Sequence, residues 1–241
     1  MSEVLCRGDA YLRECTARVV SVAPEGVVLD RTVFYPLGGG QAGDAGTLVR
    51  GDGLHIRIAD ARKSKAEGAV DDVLHVPAAE DAESAARLVP GDEVIATLDW
   101  TRRHRHMRLH TATHLLCALV PHPVDGCSIT ADYARMDFAM VEPLDREVLE
   151  AGLARLVAAS ATVAVDWITD EALAAQPELV RTMSVKPPMG SGRVRLLRID
   201  GIDLQPCGGT HVANTAEIGA LCITKIEKKS ARTRRVTLGF A

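Results

Sequence analysis

The feature that most limits how this chain can fold is a change of hydrophobic period at Asp99-Trp100. Before it, short strand-like runs occupy residues 16–22, 26–29, 46–50, 54–59, 70–76 and 93–98. They are separated by turn chemistry at Pro24-Glu25-Gly26, Gly51-Asp52-Gly53 and Pro90-Gly91-Asp92. After it, residues 101–120 read as a helix with Met107, Leu115, Cys117 and Leu119 on its apolar stripe, stopped by Pro121 and Pro123. Residues 1–98 are therefore expected to form a small β-barrel-like or sandwich domain. Residues 99–241 are expected to form an α+β domain with an antiparallel sheet and packed helices, because their elements follow no regular βαβ beat.

Within the second region, residues 121–141 read as a loop and a strand pair. Asp145 caps a helix over 147–159 with Val148, Leu149, Leu153, Leu156 and Val157 on its apolar side. A strand over 162–168 leads into a short helix that Thr169-Asp170 begins and Pro177 breaks. Strands close the chain at 194–199, 219–227 and 235–240.

Composition narrows the function. With 47% hydrophobic and 25% charged residues, the 241-residue chain is an ordinary globular sequence, which excludes disordered, collagenous and coiled-coil classes. Phe, Tyr and Trp together make up 3%, too few for a single-strand binder built on stacking platforms. The net charge of −4 argues against nonspecific duplex binding. That figure conceals an asymmetry: residues 1–98 carry 10 basic and 16 acidic side chains, whereas residues 99–241 carry 18 and 16. The second half thus points toward an anionic partner. Its basic residues gather at Arg102, Arg103, Arg105 and Arg108, and again at Lys225, Lys228, Lys229, Arg232, Arg234 and Arg235, where solvated faces are the alternative. No membrane span or signal peptide is legible, so a cytoplasmic location is expected. The six cysteines show no disulfide framework, and thiols are expected.

Two clusters carry chemistry. His110 and His114 are i and i+4 on the long helix, one turn apart on one face, so both imidazoles can meet one ion. By itself the pair also fits core or surface histidines. Cys207-Gly208-Gly209-Thr210-His211 adds a thiolate and a third imidazole in a glycine-rich turn. Together they make a tetrahedral nitrogen–sulfur set suited to one zinc ion, ahead of iron or nickel and unlike the oxygen shells of magnesium or calcium. A protease of the His-Glu-x-x-His kind is excluded, since Thr111 stands where the general base would be. The run from Gly38-Gly39-Gly40-Gln41 to Gly46 lacks the Lys-Ser/Thr of a phosphate loop, and a tight turn or a cover for the site mouth is expected.

These motifs resemble a known family. His110-Thr111-Ala112-Thr113-His114-Leu115-Leu116, Cys207-Gly208-Gly209-Thr210-His211-Val212, and Phe34-Tyr35-Pro36 leading into Gly38–Gln41 look like alanyl-tRNA editing proteins of the AlaX family. Asp99-Trp100-Thr101-Arg102-Arg103, Arg135-Met136-Asp137-Phe138 and Glu217-Ile218-Gly219 extend the likeness over nearly the whole chain, and the N-terminal β region resembles the medium-length class. The resemblance implies hydrolysis in trans of mischarged Ser-tRNA(Ala), with Gly-tRNA(Ala) a further substrate, and zinc at His110, His114, Cys207 and His211. It puts Thr113 against the substrate; Ser128, Gly208 and Gly209 are further candidates, but Gly126-Cys127-Ser128-Ile129 departs from the pattern usual in synthetase editing domains, so no polar contact is carried over there. Arg102, Arg103, Arg108, Lys228 and Lys229 are expected on tRNA phosphates, and no obligate protein partner is implied. Four protein ligands suit a structural ion, whereas activating water needs an open position, so the catalytic residues stay open. Editing of Ser-tRNA(Thr) and a non-catalytic zinc-stabilised tRNA-binding module are the rival readings.

Overall fold

The computed structural model describes residues 2–64, 72–181 and 192–241. They gather into two compact units, one of residues 1–38 and 42–104, the other of residues 39–41 and 105–241.

In the first unit, β1 (Glu3–Val4), β2 (Glu14–Ala23), β3 (Gly26–Leu29), β4 (Arg31–Thr32), β5 (Gly46–Arg50), β6 (His55–Lys63), β7 (Val73–Pro77) and β8 (Glu93–Leu98) appear in chain order, with a single-turn helix α1 (Ala82–Ala85) before β8. Six strands close into a barrel in the order β2-β3-β7-β6-β5-β8, and β8 pairs back onto β2. Closure leaves no free sheet edge, which suits short strands that could not persist alone. All six expected strands are present with shifted ends; residues 70 and 71 of the expected fifth strand lie outside the described residues. The interior is aliphatic, from Val27, Leu29, Leu48, Ile56, Ile58, Val94 and Ala96. On β6 the inward phase passes from Ile56 and Ile58 to Ala61, because the register slips between Ile58 and Asp60.

A titratable side chain is buried beside these aliphatic residues. His75 on β7 is fully buried, its Nδ1–H donates to the Val27 carbonyl (3.0 Å), and its Nε2 accepts from the Thr32 hydroxyl (2.8 Å). Burial pulls its pKa down to about 4. An unfolded histidine protonates near 6.5. Its contribution is therefore whole above pH 6.5 and is lost as pH falls from there to about 4, a drop of about 3 kcal/mol. Urea unfolding at pH 7 and pH 4.5 is expected to show that loss and His75→Gln to remove most of it; the same pH dependence in the variant would refute the assignment.

The second unit holds most of α2 (Trp100–Leu119), then β9 (Val124–Ile129), β10 (Tyr133–Ala139), α3 (Arg146–Ala158), β11 (Val163–Thr169), α4 (Asp170–Ala174), β12 (Arg193–Ile199), β13 (Asp203–Pro206), β14 (Leu221–Ser230) and β15 (Thr233–Phe240). Two antiparallel sheets result, ordered β14-β15-β10-β9 and β11-β12-β13. The fold is α+β, as expected. Asp145 caps α3 by accepting from Val148 N (3.1 Å), and Thr169 caps α4. Three details differ from the sequence reading. Val148 is 66% exposed, since the buried stripe of α3 runs Leu149, Leu153, Leu156 at helical spacing and Val148 falls outside it. Residues 109–117 of α2 are buried all round rather than along one stripe, and Leu119 is half-buried. Strand β13 was not expected, because Asp203-Leu204-Gln205-Pro206 reads as a turn; its proline is tolerated on a sheet edge. No disulfide joins any of the six cysteines, and no helix among the described residues is long and apolar enough to cross a membrane.

Candidate metal centre

Three elements of the second unit converge here. Helix α2 supplies His110 and His114, β13 leads into Cys207, and the turn after it supplies His211. The four ligand atoms lie within 4.8 Å of one another. Cys207 Sγ is 3.4 Å from His110 Nε2 and 3.2 Å from His211 Nε2. A tetrahedral zinc with bonds of about 2.0–2.3 Å separates its ligands by roughly 3.3–3.8 Å, so the spacing fits with little movement.

What orients the rings is visible behind each of them. Gln41 Oε1 accepts from the Thr210 backbone N–H (3.1 Å), which fixes the amide's direction, so His110 Nδ1, 2.8 Å away, must donate to it. Its amide nitrogen donates to Thr210 Oγ1 (2.9 Å). The Asp203 carboxylate only accepts, so His114 Nδ1 donates to it (2.8 Å), and Gln205 Nε2 bonds both carboxylate oxygens (2.9 Å each). Thr111 Oγ1 donates to the Met107 carbonyl (3.0 Å), which leaves it to accept from His211 Nδ1 (3.2 Å). In all three histidines Nδ1 carries a proton and donates outward, so Nε2 is the nitrogen turned inward. Such outer partners orient metal-binding imidazoles and raise their basicity.

The charges agree with this. Burial alone would raise the Cys207 pKa, yet its electrostatic interactions and hydrogen bonds with the surrounding histidines hold it well below its ordinary value, which favours the thiolate. Burial and the nearby His110 push His211 well below the usual histidine range. For His114 burial works downward, but its hydrogen bonds to Asp203 and Cys207 raise it to about 10. Loading a metal therefore takes a proton from His114.

The two glycines after Cys207 differ. A Cβ at Gly209 would lie 2.1 Å from His110 Cε1, so only glycine lets the turn pass the ring, whereas nothing lies within 4 Å of one at Gly208. Upstream, Gly39 and Gly40 have φ of 58° and 83° and form the turn that delivers Gln41, which is fully buried and bridges to Ile129. The glycine run is thus a turn whose product is a ring-orienting amide.

Residues 194–237 match the family model described as the threonyl and alanyl tRNA synthetase second additional domain, and residues 9–102 match that of the class II (A) tRNA synthetases. Over 98% of both chains, the sequence is 35% identical to the alanyl-tRNA editing protein AlaX-M of Methanosarcina acetivorans. The chain belongs to the AlaX family of alanyl-tRNA editing proteins. It is also 30% identical to the AlaX-L protein of Pyrococcus horikoshii, covering 57% of that protein, which puts it with the medium-length class. Against the alanine–tRNA ligase of Sulfurisphaera tokodaii it is 34% identical over 91% of this chain and 24% of the ligase.

Other residues expected in this AlaX member's site fall unevenly. Thr113 is 3% exposed and its hydroxyl donates to the His110 carbonyl (2.6 Å), so it is left with lone pairs to accept. Ser128 is paired with Arg135 across β9 and β10, and strand alternation turns it to the sheet face opposite Cys127. Arg103 is a correction. It has no exposed surface, is ion-paired to Asp44, and donates to the carbonyls of Ala10 (3.0 Å) and Val33 (2.7 Å), so it holds its own unit together and cannot meet a phosphate. Arg102 is half-buried. Lys228 is exposed, and Lys229 pairs with Asp137 (2.8 Å). Asp203, Thr111 and Gln205 were missed; the alternation of Asp203 and Gln205 just before Pro206-Cys207 was the available signal.

Gln41→Ala and Asp203→Asn are each expected to weaken metal affinity about 10- to 100-fold in a chelator competition. Gly209→Ala should lose metal and Gly208→Ala keep it; equal metal content in the two would contradict the packing argument.

Proposed function

We propose that this chain is a trans-editing aminoacyl-tRNA deacylase that hydrolyses Ser-tRNA(Ala), and Gly-tRNA(Ala) as a second substrate. It would act in the cytoplasm with one zinc ion at His110, His114, Cys207 and His211. Residues 99–241 would be the editing domain and residues 1–98 the β-barrel-like domain. The observation that carries this is the set of three imidazoles, each with Nε2 turned toward one thiolate, in a chain alignable end to end with AlaX-M.

An alanine-activating pocket cannot strongly reject an analogue differing by one hydroxyl or one methyl, since such differences yield only about 10- to 200-fold discrimination. A second site is needed, and size cannot protect the correct ester, because alanine is smaller than serine. The site must recognise the serine hydroxyl. Thr113 can do this as an acceptor only, because its own proton is engaged by the His110 carbonyl. An alanyl ester would leave that buried oxygen without a donor. Gly208, open beside Cys207, leaves room for the aminoacyl end. When bound, zinc would supply Lewis-acid polarisation of the ester or a grip on the substrate's amine. The protein's own part is to aim the ligands, keep Cys207 ionised and hold the acceptor oxygen in place.

The test is deacylation of seryl- and alanyl-tRNA(Ala) with and without chelator, beside seryl-tRNA(Thr), which is included because the matching second additional domain is common to threonyl and alanyl synthetases. Ser-tRNA(Ala) should be cleaved about 100-fold faster than Ala-tRNA(Ala), and chelator should abolish turnover. Preference for Ser-tRNA(Thr) would replace the substrate, and binding without turnover would replace the enzyme with a tRNA-binding module. Thr113→Val should erase most of the Ser-over-Ala preference; an unchanged ratio of the two rates would rule Thr113 out as the selector.

A further inference from the structure

Two side chains of α2 meet on one ring. The guanidinium carbons of Arg105 and Arg108 lie 4.4 and 4.1 Å from the Phe240 ring centroid, so the two charges can be no farther apart than those distances together. Each is anchored through Nε to a backbone carbonyl, Arg105 to Ala131 (2.6 Å) and Arg108 to Ile218 (2.8 Å). With Nε tied down, the terminal nitrogens form a fixed fork, the geometry that suits a phosphate.

Their surroundings do not neutralise them. Among the described residues, the partners of Arg108 are a carbonyl and the ring rather than a carboxylate, and burial with the neighbouring Arg105 charge lowers its pKa. Arg105 has Asp132 at 3.6 Å, on a side chain 87% exposed, where an ion pair contributes little. The seat of Arg108 is built for it. Asn214 and Glu217 form a capping box on the short turn Thr215–Ile218, which presents the Ile218 carbonyl and ends at Gly219, φ 70°. A Cβ at Gly219 would lie 2.9 Å from Arg108 Nη2. The Glu217-Ile218-Gly219 motif, to which the metal centre gives no role, is thus the cradle of this arginine.

We propose that Arg105 and Arg108, stacked on Phe240, are a preorganised site for a phosphodiester of the tRNA backbone. Stacking and the backbone anchors fix both side chains before RNA arrives, and a phosphate relieves the repulsion between them. The inference rests on the substrate being tRNA, as proposed above. It replaces Arg103 with Arg105 as a phosphate contact.

The test measures tRNA(Ala) binding against salt concentration for wild type, Arg105→Gln/Arg108→Gln and, as a control for charge loss alone, Arg18→Gln, an exposed residue of β2. The double variant should lose about one to two from the slope of log affinity against log salt, and Arg18→Gln none. In deacylation, KM should rise about tenfold while kcat, the Ser-over-Ala ratio and zinc content stay within about twofold. An unchanged slope, or a fall in kcat at constant KM, overturns the proposal. Should the double variant lose its fold, Arg105→Gln alone decides by a slope loss of about one. Wild-type protein whose tRNA binding depends on this pair but which deacylates nothing would overturn the deacylase reading and leave the phosphate site standing.

Discussion

Every other feature of the centre depends on three hydrogen bonds from imidazole Nδ1: His110 to Gln41, His114 to Asp203, and His211 to Thr111. A neutral imidazole has one proton, and where that proton goes decides whether the ring can ligate on its other nitrogen. Each accepting oxygen is set by a second bond: Gln41 Oε1 accepts from Thr210 N–H, Asp203 accepts from Gln205 Nε2, and Thr111 Oγ1 gives its proton to the Met107 carbonyl. Each is also buried, and breaking such a bond strands a polar atom at a cost of about 1–3 kcal/mol. The ring orientations are thus set by the fold before any ion arrives.

The same constraint explains the construction around it. Helix α2 is buried on all sides over residues 109–117, so His110 and His114 cannot swing toward water. The edge strand β13 places Asp203 and Gln205 on the face of the sheet from which Cys207 continues. Arg195 Nη1 pins the following turn by donating to the carbonyls of Cys207 (2.6 Å) and Gly209 (3.1 Å). Gly209 lets that turn lie against His110. Each of these parts restrains a group whose bond to a metal would be only about 2 Å long.

Much of this was legible. Turn residues between short alternating runs marked the barrel strands to within a few residues, since turns depend on local backbone preference. The four candidate ligands were readable from two spacings, His-x3-His on a helix and Cys-x3-His in a glycine turn, since both act over one turn of chain. Strand β13 was not, because Pro206 and its polar neighbours resemble a loop until β12 supplies a partner. Nor was the fate of the four arginines at the start of α2. Arg103 and Arg105 are two positions apart and chemically identical, yet one is buried on Asp44 and the other stacks on Phe240.

The sequence by itself determined the two-part organisation, the ligand types and the family, because periodicity, spacing and motif are properties of neighbouring residues. Only the tertiary structure decided which polar groups stand behind the ligands. Gln41 lies 69 positions from His110, and Asp203 lies 89 from His114. The Phe240 that gathers two arginines comes from the last strand. Partnerships at such range are decided by packing, and no local pattern of the chain encodes them.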